Sequence, residues 1–122
     1  VRFFVEAVGG ITEHLADLTT WCVGPATADA AEAAGFQRIV RGDGNSDELA
    51  RLILSSECTE DGFLHIANSA AAGNLVAQLS AAKCDARFLA LYETVPASAL
   101  QADAVQTLRS GSGAVVLVHS AK

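Results

Sequence analysis

Two rhythms of apolar residues alternate along the chain. Short apolar, partly β-branched runs occur at residues 20–23, 37–40, 63–67, 87–92 and 114–119. Such runs read as strands buried on both faces of a parallel sheet. Between them the spacing turns helical. Residues 25–34 carry Pro25 at the first helical position and Gly35 as a left-handed stop. Residues 47–55 place Leu49, Leu52 and Ile53 on one face, behind Asn45 and Glu48 at capping-box spacing. Residues 70–83 carry the stripe Leu75, Val76 and Leu79 after Asn68 or Ser69 as cap, and residues 98–109 the stripe Leu100, Ala104, Val105 and Leu108. Strand–helix alternation of this kind predicts an α/β fold. The expected form is a doubly wound, mainly parallel sheet of about five strands with helices on both faces.

The 122 residues suit one compact domain, or one domain and a piece of another. With 51% hydrophobic and only 18% charged residues, a real core is expected and disorder is not. The formal net charge of −6 disfavours nucleic acid and anionic membrane surfaces as partners, since both need clustered Lys and Arg. No apolar run reaches the ~18 residues of a membrane span. Cys22, Cys58 and Cys84 are widely and irregularly spaced, without a CxxC or Cys/His pattern, so they read as small buried thiols in a reducing cytoplasm and not as metal ligands. The chain has no initiator methionine and opens inside helix-like sequence at residues 1–7, so a fragment is expected.

Every junction from strand to helix is small and polar: Gly24-Pro25-Ala26-Thr27, Gly42-Asp43-Gly44-Asn45-Ser46, Asn68-Ser69 and His119-Ser120. A parallel sheet gathers these loops at one edge, where helix N-termini offer free N–H groups to anions. For any one junction, simple capping is the commoner explanation. Together the four favour a ligand edge.

Sharper motifs fail. Gly42-Asp43-Gly44 opens like a dinucleotide fingerprint, but Asp47 stands at the third glycine position. Asp43, Asn45 and Asp47 imitate a calcium loop, yet Glu48 replaces its glycine and Leu54 its final glutamate. His14, His65 and His119 share no metal spacing, and His65, inside an apolar strand, reads as a satisfied core residue. Neither a metal nor a cofactor is expected. The run RFLALYETVPASAL at residues 87–100 is more informative: an apolar strand ends on Tyr92, the only tyrosine, before a Glu-Thr pair and a proline. A phenol at the carboxyl end of a strand lies where open α/β sheets bind ligands, and it can donate a proton at neutral pH.

The runs WCVGPATADAAEAAGF, GDGNSDELARLI, LHIANSAAAGNLVAQL, LALYETVPASAL and AVVLVHSAK, in this order, resemble the uroporphyrinogen-III synthase family. The most specific parts are the turn around Gly24 and Thr27 and the later Tyr-x-Thr at Tyr92. The resemblance implies two α/β domains facing across a cleft, with residues 1–95 forming most of one and residues 96–122 a connector plus one helix and strand of the other. It implies closure of the linear tetrapyrrole hydroxymethylbilane to uroporphyrinogen III, with the last ring inverted through a spiro intermediate and water released. By the same resemblance Tyr92 is the proton donor to the departing hydroxyl. Thr27, Asn68, Ser69 and Ser120, with Gly24 and Asn45 in the same loops, would hold substrate carboxylates. Lacking the opening strand of its domain and most of the other, the chain alone is expected to be inactive. Residues 114–120 are expected to fill the place of that missing strand, within the chain or by exchange in a dimer. The alternative is a non-catalytic α/β domain that binds a small polycarboxylate or phosphate.

Overall fold

The structure is a computed structural model that describes residues 1–56, 62–71 and 74–111. The predicted strand at 114–119, with His119, Ser120 and also Cys58, lies outside these residues. In chain order the elements are α1 (Arg2–Val8), α2 (Glu13–Ala16), β1 (Thr19–Cys22), α3 (Pro25–Ala34), β2 (Arg38–Arg41), α4 (Ser46–Ser55), β3 (Phe63–Asn68), α5 (Asn74–Ala81), β4 (Ala86–Tyr92) and α6 (Ala102–Ser110). The helix expected from residue 70 begins at Asn74, after a 3-10 turn at Ser69–Ala71. The short α2, which the apolar pattern does not show, is capped by the Thr12 hydroxyl, which accepts from the Leu15 N–H at 3.4 Å.

The predicted single sheet of about five strands is not what forms among the described residues. Four strands pair as two separate parallel ribbons, β1 with β2 and β3 with β4. Register runs from Thr19 opposite Arg38 to Cys22 opposite Arg41, and from Phe63 opposite Ala86 to Asn68 opposite Tyr92, with an irregularity at Ala67/Asn68. A cavity of about 630 Å³ lies between β1 and β3, lined by Trp21, Val23, Phe63 and His65 among others.

Two apolar clusters sandwich these ribbons. On one face Leu49, Ala50 and Ile53 of α4 meet Leu75 and Leu79 of α5, with Trp21, Val23, Phe63 and Ala86 packed against them. On the other, Ala28 and Ala31 of α3 meet Cys22 and Phe36, with Phe4 of α1 alongside. Ala28 and Ala31, both fully buried, let α3 approach its ribbon closely. Burial pushes the Cys22 thiol up from its ordinary range, which keeps it protonated.

Two predicted core features differ from what is observed. The stripe at α6 is not fully buried among the described residues: Ala104 and Val105 are half-buried, Leu108 is 44% exposed, and Leu100, ahead of the helix, is 64% exposed. His65 is half-buried but not satisfied. Its ring meets Phe88 edge-on at 5.3 Å, while Nδ1 is enclosed without a hydrogen-bond partner among the described residues, and desolvation lowers its pKa.

Candidate active-site edge

The direction of the strands decides where their loops gather. Asp47 in the first turn of α4 accepts hydrogen bonds from Asn74 Nδ2 at 2.6 Å and Gln78 Nε2 at 2.7 Å at the start of α5. The N-terminal ends of the two helices therefore lie together. The carboxyl ends of β2 and β3, which lead into them, open on the same side, and so do those of the parallel β1 and β4.

At the β1 end, Gly24 caps α3 with extended backbone and no side-chain hydrogen bond. The first intrahelical bond, from the Ala28 N–H to the Gly24 carbonyl at 3.1 Å, leaves the N–H groups of Ala26 and Thr27 ahead of it without helical acceptors. Thr27 is exposed and lies at the rim of the cavity between the ribbons.

The following junction is laid against this turn. The Gly42 N–H donates to the Cys22 carbonyl at 2.8 Å and the Gly44 N–H to that of Val23 at 2.7 Å. A Cβ on Gly42 would stand 3.1 Å from both carbonyl oxygens, which explains the glycine there. Asn45 is fully engaged: Oδ1 accepts from the Glu48 N–H at 2.8 Å and Nδ2 reaches Glu48 Oε2 at 3.4 Å. This is the N-cap half of the capping box that the spacing announces, with the Glu48 carboxylate on the Asn45 side-chain amide instead of its backbone N–H. It spends the side chain of Asn45 on its own helix and sets Asp47 and Glu48 at the mouth. The loop that imitates calcium and dinucleotide motifs is a structural joint.

At the β3–β4 end, Asn68 and Tyr92 are register partners. Asn68 Oδ1 accepts from the Ala70 N–H at 2.8 Å, and its Nδ2 donates to the Thr94 hydroxyl at 2.5 Å. Ser69 opens the 3-10 turn and is exposed. Tyr92 is 44% exposed, and its ring stacks on Phe3 of α1 at 5.1 Å between centroids. The Arg2 guanidinium lies over the other ring of this stack, 4.9 Å from the Phe3 centroid. Thr94, Phe3 and Arg2 were not singled out from the sequence. The Tyr-x-Thr spacing points to Thr94, whereas the Phe3 contact joins residues 89 positions apart and has no local signal.

Asn68, Ser69 and Tyr92 thus share one corner, and Gly24 and Thr27 share another with Asn45 beside them. Ser120 lies outside the described residues. Arg41 at the end of β2 is committed to Asp29 at 2.6 Å and Glu32 at 3.1 Å. Among the described residues, no cluster of His, Cys, Asp and Glu could hold a metal ion, and no helix is long and apolar enough to cross a membrane.

Parallel strands alternating with helices, with a lone phenol and an uncapped helix mouth at their carboxyl edge, define an α/β domain. A family model, uroporphyrinogen-III synthase HemD (HEM4), matches residues 1–122, and the chain belongs to that family. No curated protein and no solved structure matches it significantly.

Proposed function

We propose that the chain forms one wall of a uroporphyrinogen-III synthase active site, a cofactor-independent cytoplasmic lyase that closes hydroxymethylbilane with inversion of the last ring. The observation that carries this reading is the corner where Asn68, Thr94 and Tyr92 meet at the carboxyl edge. The phenol of Tyr92 donates its proton to the substrate hydroxyl, the C–O bond breaks and water leaves. Positive charge remains on the pyrrole methylene, and the substituted α-carbon of ring D attacks it to form the spiro intermediate. The bond from that carbon to its original methylene bridge breaks, and ring D re-bonds to this bridge through its free α-carbon. The proton lost from that free carbon returns to the Tyr92 phenolate. Phe3 fixes the plane of the phenol, and Asn68 fixes the loop beside it. The substrate carries eight carboxylates, which the free N–H groups of α3, the Ser69 loop and Arg2 receive without a cluster of basic side chains. Water exclusion and alignment require a facing wall, so the full reaction belongs to the chain together with a second domain.

The test is the isomer ratio formed from hydroxymethylbilane, which left alone cyclises to the type I product. Type III is expected from the protein encoded by the complete reading frame. Tyr92→Phe should slow it by about 10²-fold, near the lower end of what a general acid supplies. Type I alone from that protein would overturn the synthase reading and leave a polycarboxylate-binding domain.

A further inference from the structure

One hydrogen bond at the Tyr92 corner has a direction that its neighbours fix. Asn68 faces the Ala70 N–H at 2.8 Å with one end of its side-chain amide. A backbone N–H only donates, so that end is the carbonyl oxygen and the amide cannot be turned over. The other end is therefore the NH2 group, 2.5 Å from the Thr94 hydroxyl oxygen. An amide NH2 accepts no hydrogen bond. Thr94 Oγ1 must accept, and its own O–H is left to donate elsewhere.

Among the described residues no acceptor takes that proton: Thr94 makes no hydrogen bond besides the one from Asn68, and none to Glu93 beside it. Thr94 is exposed, so the donor is open to a ligand. It also stands at the strand end that carries the phenol, because Asn68 is the register partner of Tyr92. A hydroxyl that accepts a hydrogen bond is polarised and donates more strongly. Its best acceptor is an ionised group, above all a carboxylate. With one lone pair held by Asn68, the hydroxyl has fewer directions open to it, which lowers the ordering cost of binding.

We infer that the Thr94 hydroxyl donates directly to a substrate carboxylate, and that Asn68 is the positioning residue that frees its proton for this bond. The identity of the ligand as substrate rests on the synthase reading, whereas its carboxylate chemistry does not. If Thr94 served only as the acceptor that steadies Asn68, its proton would have no part in binding.

Asn68→Asp separates the two roles. A carboxylate at this position still accepts the Ala70 N–H but has no proton for Thr94, so the Thr94 hydroxyl turns and donates to it. The loop keeps both of its bonds, and the ligand loses its donor. Both side chains lie outside the two apolar clusters, so the variants should fold, with the amide signals of β1 and β2 unshifted.

The probe is uroporphyrin, an octacarboxylate, titrated calorimetrically into the full 122-residue chain. Thr94→Val should weaken binding about tenfold, the effect of one hydrogen bond to a charged group, while Thr94→Ser should stay within about twofold of the wild-type chain. In the Asn68→Asp background the proton is already withdrawn, so adding Thr94→Val should change affinity by less than about twofold. The charge added by Asn68→Asp is common to both members of that pair and cancels. An equal loss from Thr94→Val in both backgrounds would overturn the inference, as would unchanged affinity in Thr94→Val alone or a wild-type chain that does not bind uroporphyrin. The isomer ratio is read separately. Type I product from the complete protein, with these affinities as expected, would defeat the synthase reading and leave Thr94 as donor to another polycarboxylate.

Discussion

The mouths of α3 and α4 have the same origin and opposite outcomes. Both helices have ten residues, follow a parallel strand and start from extended backbone. α4 is closed by its own side chains, with Asn45 on the Glu48 N–H and two carboxylates in the first turn. α3 has glycine at the cap, proline next and no acidic residue in the first turn. A helix N-terminus carries about half a positive charge. At α4 that charge is met by the helix's own side chains, and at α3 no side-chain cap or first-turn carboxylate meets it. In the proposed reading, this difference decides which loop of an acidic protein receives an anion.

The comparison can be broken at its joint. Gly42→Ala should cost about 2 kcal/mol in denaturant unfolding, since its Cβ meets two fixed carbonyl oxygens at 3.1 Å. Gly24→Ala, with only an ordinary contact at 3.7 Å to the Gly44 Cα, should cost far less. Asn45→Ala should lower stability by about 1 kcal/mol through loss of the α4 cap and should leave polycarboxylate binding unchanged. Gly24→Asp should do the reverse, because the backbone there accepts any residue. A carboxylate cap would raise stability by a few tenths of a kcal/mol, and titration calorimetry should show that it abolishes anion binding.

The smallest expected effect lies between the ribbons. Burial disfavours the charged form of His65, so its folded pKa lies below the unfolded value. The unfolded chain therefore binds more protons, and stability rises with pH. The His65 contribution is complete above the ordinary histidine pKa and is lost as pH falls through the folded one. Urea melts of His65→Phe should show a shallower loss of stability below pH 6.5 than the wild-type chain.

Elements carried by local chemistry were legible in the sequence. The α3 boundaries match because Pro25 and Gly35 mark them, and α4 starts where Asn45 and Glu48 announce it. Leu49, Ile53, Leu75 and Leu79 are buried as their spacing requires. What depends on distant partners was not legible. The apolar stripe of α6 has the same periodicity as a core helix, and nothing in its spacing reveals that Leu108 stays exposed and Ala104 and Val105 only half-buried among the described residues. The pairing of the described strands as two ribbons depends on which strand edges meet, which strand patterns do not encode. At the site, Tyr92 and Asn68 were visible as strand ends, but their meeting with Phe3 and Thr94 required the fold.

Amide chemical shifts of the labelled chain, titrated with the octacarboxylate uroporphyrin, test the central claim most directly. The account predicts saturable shifts at Ala26, Thr27 and Ser69 and at the Tyr92 ring, with Asp47 and Glu48 unmoved. Shifts centred on the α4 mouth, or none at the α3 mouth, would contradict it.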